Sequence, residues 1–330
     1  ALMVLLLAYG FFGAVRQLMN ATHSALAGVS AADKVEKLLA IDTSRPYHPE
    51  LGTEPDAYDG IRLEHVSYAY QGRKAALRDV SLDIPRGQTT ALVGLSGSGK
   101  STIAGLLMRF YDVEKGRILL EGRDYTSYTP EELRKRVIMV PQTVSLFSGT
   151  IGENLRIAAP EASDEELLAA LKDVRLKDWV LAQPQGLDTA IGDGGSKLSG
   201  GQRQKMGIAR ALLCRAEYII FDESTSSVDL ESEREIWNCI DELAQTRTLI
   251  IISHRLSTIQ NAGRIYVLEN GRIAEEGGHG ELMKHHGLYR RLVEEQAELE
   301  RQGEEHAILE KQGNGCGGPG RAGKEGAVHA

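Results

Sequence analysis

The pattern of apolar and polar positions divides the chain into an N-terminal helix, a polar linker and a longer segment of alternating strands and helices. From Val15 to Ile41, small and apolar residues recur every three or four positions, which is the spacing of one face of a helix. Residues 42–60 are polar and interrupted by prolines, so we expect a linker there. A new domain is expected from residue 61 to about residue 300.

Strand-like and helix-like segments alternate in this domain, which indicates an α/β fold. The expected strands are Ile61–Tyr70, Ala76–Ile84, Thr89–Leu95, Arg117–Leu120, Val137–Val140, Tyr218–Phe221, Thr248–Ile252 and Arg264–Leu268. Residues 148–213 are mainly helix-forming and predict a helical subdomain inserted into the core. An amphipathic helix is expected from Glu281 to about Gln302, and the glycine-rich composition of the tail, 301–330, predicts disorder.

The apolar N-terminal segment, residues 1–15, is open to more than one interpretation. It is shorter than the ~20 residues that span a bilayer. It also lacks the basic region and cleavage site of a signal peptide, whereas a buried helix of a soluble protein stays possible. We favour the cytoplasmic end of a transmembrane helix, because the first charge is Arg16 and a long polar domain follows. Residues 1–41 would then be the end of that helix plus a connecting helix, in a C-terminal fragment of a longer protein.

Composition and charge argue against two kinds of site. The formal net charge of −8 comes without a long basic run, so nucleic acid is not an expected partner. The cysteines, Cys214, Cys239 and Cys316, have neither C-x-x-C spacing nor neighbouring histidines, which fits reduced thiols better than a disulfide framework or a zinc site. The 42% hydrophobic content is ample for a buried core.

A phosphate-binding loop of the form G-x-x-x-x-G-K-[ST] lies between an apolar run and a helix-like segment. Its glycines would let the backbone approach phosphate groups, and its amides and the following helix N-terminus attract anions. Lys100 would contact the β- and γ-phosphates, Ser101 a Mg²⁺ ion and Thr102 an adjacent phosphate. The alternative is a plain glycine turn before a helix. The candidate ATP-binding residues are Gly94, Leu95, Ser96, Gly97, Ser98, Gly99, Lys100, Ser101 and Thr102.

Two further motifs carry candidate chemistry. Asp222 and Glu223 follow a buried strand, at the end of the sheet where open α/β folds bind ligands. Asp222 would complete the Mg²⁺ shell, and Glu223 would act as general base or hold the attacking water. Such a pair alone fits a solvated turn as well, but a phosphate loop in the same chain favours catalysis. The second motif opens a helix whose N-terminal amides can hold an anion, and it consists of Leu198, Ser199, Gly200, Gly201 and Gln202.

Taken in order, the motifs resemble those of ABC transporter ATPase domains. They are GLSGSGKST at 94–102, Gln142 in VPQ, LSGGQ at 198–202, Asp222-Glu223, SSVD at 226–229 and His254 in ISHR. The resemblance runs from Ile61 to about Gln296. It implies a P-loop NTPase fold with a RecA-type core, an antiparallel β subdomain and a helical subdomain. The N-terminal helix resembles the last transmembrane helix of an exporter half-transporter.

The resemblance also implies roles for single residues. Tyr70 would stack on adenine, and Gln142 would ligate Mg²⁺ together with Ser101 and Asp222. His254 would bond the γ-phosphate and orient Glu223 or the water, so that the catalytic residues are Lys100, Glu223 and His254. Asp193 stands where exporters commonly carry Glu, in a loop expected to contact the membrane part. The loop facing a partner subunit would be Ser226, Ser227, Val228 and Asp229.

In this family the LSGGQ motif serves the ATP of another subunit, so the resemblance implies a dimer of like or different ABC subunits, closed by ATP. The expected cofactors are ATP and Mg²⁺, and the expected location is the cell membrane with the ATPase domain in the cytoplasm. The alternatives are a soluble ABC ATPase acting on nucleic acid or ribosomes and a nucleotide sensor with a dead site. Residues 26–35 resemble the corresponding segment of bacterial thiol exporters, which makes thiol compounds one candidate for the exported substrate. Lipids and drugs are the other candidates.

Overall fold

The computed structural model describes residues 2–40, 47–48, 50–51, 58–222, 230–253 and 259–298. Contacts between Cα atoms divide the chain into two units, Ala1–Pro46 and Tyr47–Ala330. The first unit contains one long helix, α1 (Leu2–Leu39), as the sequence predicts. Apolar side chains on this helix, Leu18, Leu26 and Val29 among them, are more than half exposed. Over the described residues, no helix combines the length and apolar character that a membrane span requires.

The strands in the described part of the second unit form two sheets. The antiparallel sheet has the order β2-β1-β4-β5, and the larger sheet has the order β10-β9-β3-β8-β7-β6. In the larger sheet β9, β3, β8, β7 and β6 are parallel, and β10 runs antiparallel to β9. The strands are β1 (Gly60–Ala69), β2 (Ala75–Pro85), β3 (Thr89–Val93), β4 (Lys115–Leu120), β5 (Arg123–Asp124), β6 (Val137–Val140), β7 (Tyr218–Asp222), β8 (Thr248–Ile252), β9 (Arg264–Glu269) and β10 (Arg272–Gly277).

The parallel strands are buried on both faces, which explains their unbroken apolar sequences. Because side chains alternate along a strand, Ile250 and Ile252 of β8 pack with the cluster that includes Ile103, whereas Leu249 and Ile251 pack with a second cluster. The first cluster joins the larger sheet to the antiparallel sheet, and the second joins it to the helical segment. The parallel sheet is therefore the central layer of the second unit.

The α-helices described in this unit up to residue 244 have the following bounds: α2 (Lys100–Leu107), α3 (Pro130–Arg136), α4 (Ile151–Arg156), α5 (Asp164–Asp173), α6 (Lys177–Leu181), α7 (Gly200–Leu213) and α8 (Leu230–Ala244). The segment predicted to be helical contains α4 to α7. Helices α4 and α5 each begin with a capping box, Thr150 with Glu153 and Ser163 with Glu166. In this arrangement the cap and the third residue exchange side-chain-to-backbone hydrogen bonds, which defines where each helix starts.

The end of the unit differs from the prediction of one helix beginning at Glu281. The chain forms a short helix, His279–Leu282, then a break, and a second helix at 288–298. A carboxylate on β10 explains the break, because Glu275 accepts hydrogen bonds from the backbone N–H groups of Leu288 and Tyr289. Neither β10 nor the two-residue β5 is expected from the sequence. Gln302 and the predicted disordered tail, 301–330, lie outside the described residues.

Candidate functional site

Three neighbouring parallel strands of the larger sheet have their carboxyl ends at the same level. Leu92 of β3 pairs with Ile252 of β8, and Ile252 pairs with Asp222 of β7. Neighbouring strands lie about 4.8 Å apart, so the backbones of β3 and β7 are separated by about 10 Å at this edge. The phosphate loop follows β3 directly. The structure thus places Asp222 at the same end of the sheet as the phosphate loop.

The phosphate loop is shaped by glycines with positive φ angles. Gly94 has φ of +145°, and a Cβ there would lie 2.2 Å from the carbonyl oxygen of Leu268 on β9. Gly99 has φ of +112°, and its Cβ would lie 2.7 Å from Cδ2 of Leu77 on β2. Gly97, with φ of +76°, has open space instead. The loop is therefore closely packed at both ends and open in the middle.

The side chain of Lys100 lies inside this loop. Its Nζ donates hydrogen bonds to the carbonyl oxygens of Gly94 at 2.8 Å and Leu95 at 3.0 Å, and the residue is only 5% exposed. An ammonium group is a compact charge with three donor hydrogens. The geometry therefore gives the loop a positive centre in addition to the N-terminal end of α2, both of which favour an anion.

Tyr70 lies beside the same helix. Its hydroxyl shares a hydrogen bond of 3.2 Å with Oγ1 of Thr102 in the first turn of α2. Its ring is nearly perpendicular to the rings of Tyr68 and Tyr111, with centroids 5.1 and 5.3 Å away. The residue expected to bind the base is thus in direct contact with the helix expected to bind the phosphates.

The residues expected to hold Mg²⁺ all offer oxygen ligands. Ser101 is exposed in the first turn of α2, and Asp222 is half-buried at the end of β7. Val140 of β6 pairs with Phe221 of β7, so Gln142 follows β6 near the end that carries Asp222. Hydroxyl, amide and carboxylate oxygens suit Mg²⁺, which binds few protein ligands alongside phosphate oxygens and water. Over the described residues no group of three or more His, Cys, Asp or Glu side chains could form an alternative metal cage.

The LSGGQ segment forms the start of α7. The hydroxyl of Ser199 accepts the backbone N–H of Gln202 at 3.2 Å, and the Gln202 side chain accepts the N–H of Ser199 at 2.9 Å. Ser199 is exposed, whereas Leu198 is buried. The capping box satisfies the N–H groups of Ser199 and Gln202 at the start of this 14-residue helix, whose first N–H groups have no partner within the helix itself.

Helix α7 also forms hydrogen bonds with the segments on both sides of Gln142. Gln204 donates to the carbonyl oxygen of Pro141 at 3.3 Å, and Arg210 donates to the carbonyl oxygens of Ser145 and Asn154 at 2.7 and 2.8 Å. These residues are not predicted from the sequence. Asn154 lies between Glu153 and Leu155, and Gln204 lies between Arg203 and Lys205, so nothing in their local sequence marks either residue as buried.

Asp193 lies in a short turn before α7, where its carboxylate accepts the Ser148 hydroxyl at 2.5 Å. The loop suspected of contacting a membrane part is thereby joined to the segment before α4. Several other predicted site residues lie outside the described residues, and the structure leaves them untested: Glu223, Ser226, Ser227, Val228, Asp229 and His254.

Comparison with known proteins identifies the class to which this fold and site belong. The profile of the family described as ABC transporter matches residues 77–226. Among solved structures, a bacterial Atm1-family ABC exporter with ATP bound matches with a TM-score of 0.71 and 38% identity, over 81% of this chain and 47% of that one. The chain therefore carries the ATPase domain of the ABC transporter family.

Its relatives are exporters by name. An ATP-dependent lipid A-core flippase of Haemophilus influenzae is 43% identical over 284 residues, which is 86% of this chain and 48% of the relative. The YgaD protein of Bacillus subtilis, named for multidrug export, is 41% identical over 282 residues, or 85% of this chain and 49% of the relative. The chain thus spans about half the length of these relatives.

Proposed function

We propose that this chain is the ATP-hydrolysing part of a membrane exporter, in which ATP binding closes a pair of ABC domains and hydrolysis releases them. The observation that supports this most is that β3, β8 and β7 end side by side, because each of these strands leads into a different motif of the site. The phosphate loop follows β3, His254 follows Ser253 after β8, and Glu223 follows Asp222.

In this proposal the nucleotide lies along α2. Lys100 exchanges its contacts with loop carbonyls for the β- and γ-phosphates, and Thr102 contacts an adjacent phosphate. Tyr70 provides the surface on which adenine stacks. Its hydrogen bond to Thr102 sets the distance between the base and phosphate subsites.

Ser101, Gln142 and Asp222 are the proposed Mg²⁺ ligands. These oxygen ligands would hold a Mg²⁺ ion, which would supply positive charge that favours transfer of the terminal phosphoryl group. Glu223 accepts a proton from the attacking water or holds that water in line. His254 donates a hydrogen bond to the γ-phosphate and orients the same water.

The LSGGQ segment is proposed to act on the nucleotide of a partner subunit. A hydroxyl that accepts one hydrogen bond keeps its own hydrogen, so Ser199 can donate to an oxyanion while it caps α7. In this proposal the backbone N–H groups of Gly200 and Gly201, at the N-terminal end of α7, add further donors. Because ATP would bind the closed pair more tightly than the open one, it shifts the population towards closure, and hydrolysis removes that bias.

The names of the relatives support export across the cell membrane, and this domain is proposed to lie on its cytoplasmic side. Asp193 and Ser148 form the proposed contact with the membrane part, since their hydrogen bond joins the loops on either side of α4 to α6. The names of the relatives supply lipid and drug as cargo classes, and residues 26–35 supply thiol compounds as the alternative.

Mixing two variants of the chain tests the two-subunit site. Lys100→Ala damages the phosphate loop, and Ser199→Ala damages the segment that serves the other subunit. Each variant alone should lose ATP-dependent pairing. In a mixed pair, Lys100 of the Ser199→Ala chain meets Ser199 of the Lys100→Ala chain, so one site is intact and pairing should be recovered. Light scattering with MgATP, and with MgADP as the control, measures the pairing. If the unmodified chain pairs and the mixture does not, the two-subunit site is wrong.

A further inference from the structure

Three tyrosine rings meet next to the phosphate loop. Tyr68 lies near the end of β1, Tyr70 follows that strand, and Tyr111 follows α2. The three centroid distances are 5.1 Å for Tyr68–Tyr70 and 5.3 Å for both contacts of Tyr111. The ring of Tyr70 stands at 86° to Tyr68 and 85° to Tyr111, whereas those two rings are inclined by only 34° to each other. Two neighbouring rings thus fix the plane of Tyr70.

Tyr111 rests on the helix that carries the phosphate loop. A Cβ at Gly105 would lie 2.9 Å from Cε2 of Tyr111, so the ring occupies the space that a larger side chain at this position would fill. Gly105 and Thr102 are three residues apart and share one face of α2. Tyr70 is consequently connected to this face twice, by its own hydrogen bond to Thr102 and through the ring of Tyr111.

Edge-to-face contacts between aromatic rings are directional, so they restrict rotation as well as position. Tyr68 is 9% exposed and belongs to the core, whereas Tyr111 is 38% exposed. Removal of Tyr111 therefore frees one side of Tyr70 without opening the core. The hydrogen bond to Thr102 and the contact with Tyr68 would remain, but the Tyr70 ring would be held on one side only.

We propose that Tyr111, seated on Gly105, is a positioning residue for base recognition that holds the ring of Tyr70 at a fixed orientation to the phosphate loop. The inference rests on the proposed stacking of the nucleotide base on Tyr70. It assigns to Tyr111 an effect on the affinity for the base and none on the affinity for the phosphates.

Comparison of MgATP with Mg-tripolyphosphate tests this division, because tripolyphosphate has the phosphate chain without a base. Tyr111→Ala should raise the Kd for MgATP about threefold to tenfold, the range expected for loss of one directional ring contact, and leave the Kd for tripolyphosphate unchanged. Tyr111→Phe keeps the ring and should bind both like the unmodified chain. Calorimetry on the unmodified full chain and on both variants gives the six dissociation constants, and thermal unfolding verifies that each variant is folded.

Gly105→Ala is the second variant, since its methyl group displaces the Tyr111 ring without touching Tyr70. Gly105→Ala should likewise raise the Kd for MgATP and leave the Kd for tripolyphosphate unchanged. Phe147→Ala is the matched control, because Phe147 is an aromatic residue that is 61% exposed and lies outside the tyrosine group. Both affinities should be unchanged in this control.

Two results would overturn the proposal. Unchanged binding of MgATP in Tyr111→Ala and Gly105→Ala would show that the orientation of Tyr70 does not depend on Tyr111. Equal weakening of MgATP and tripolyphosphate would show that Tyr111 supports the phosphate loop instead of the base. Failure of the proposed function gives a different result, because the unmodified chain would then bind MgATP no more tightly than tripolyphosphate, or would bind neither.

Discussion

Asn154 Oδ1 accepts a hydrogen bond of 2.7 Å from the guanidinium of Arg210, which joins α4 to the helix that starts at the LSGGQ segment. Asn154 is 1% exposed. Its Nδ2 donates to the carbonyl oxygens of Phe147 and Thr150, both at 2.9 Å, and Oδ1 also accepts the N–H of Phe147. One buried amide therefore fixes the turn before α4 and connects it to α7.

Asn154→Ala should lower the free energy of unfolding by about 2–4 kcal/mol, because several buried partners would lose their hydrogen bonds at once. Urea unfolding of the full chain measures the change. Gln183→Ala is the control, since that amide makes one local bond of 3.2 Å to the carbonyl oxygen of Trp179. Gln183→Ala should lower the free energy of unfolding by less than about 1 kcal/mol. Equal costs for the two variants would contradict the central position of Asn154.

The sequence predicts the strands of the central sheet well, and the reason is burial. β3, β7 and β8 are covered on both faces, so their residues form short apolar runs that stand out from their surroundings. β10 was missed because its sequence, RIAEEG, is polar and occupies an edge that is paired on one side only. The break before helix 288–298 was missed for a related reason, because its cause, Glu275, is a side chain on that unrecognised strand.

The motif residues are visible in the sequence because each motif is a local pattern with fixed spacing. The contacts that hold the motifs in place are of a different kind. Asn154 and Arg210 are 56 positions apart, and Tyr70 and Thr102 are 32 apart. No local pattern marks such a pair, and Tyr111 shows its relation to Tyr70 only once β1 and α2 are packed together.

Two glycines of the phosphate loop should respond differently to the same substitution. Gly94→Ala would place a Cβ 2.2 Å from a backbone oxygen, whereas Gly97→Ala meets no atom within 4 Å and pays only for its left-handed conformation. We expect Gly97→Ala to lower the free energy of unfolding by about 1–2 kcal/mol and Gly94→Ala to lower it by clearly more. Urea unfolding without nucleotide measures both. Similar losses would mean that the close approach of Gly94 to Leu268 does not determine the fold of the loop.

Glu223→Gln separates ATP binding from hydrolysis. Glutamine has nearly the same shape as glutamate but cannot accept the proton of the attacking water, so hydrolysis should fall by at least ~10²-fold. Binding should persist, because Lys100, Ser101 and Thr102 are unchanged, and closed pairs should accumulate because their release requires hydrolysis. Single-turnover hydrolysis and light scattering with MgATP measure the two effects, and Lys100→Ala, expected to lose binding itself, is the contrasting variant. Undiminished turnover in Glu223→Gln would remove this carboxylate from the catalytic role and leave Asp222 or His254 to be tested in its place.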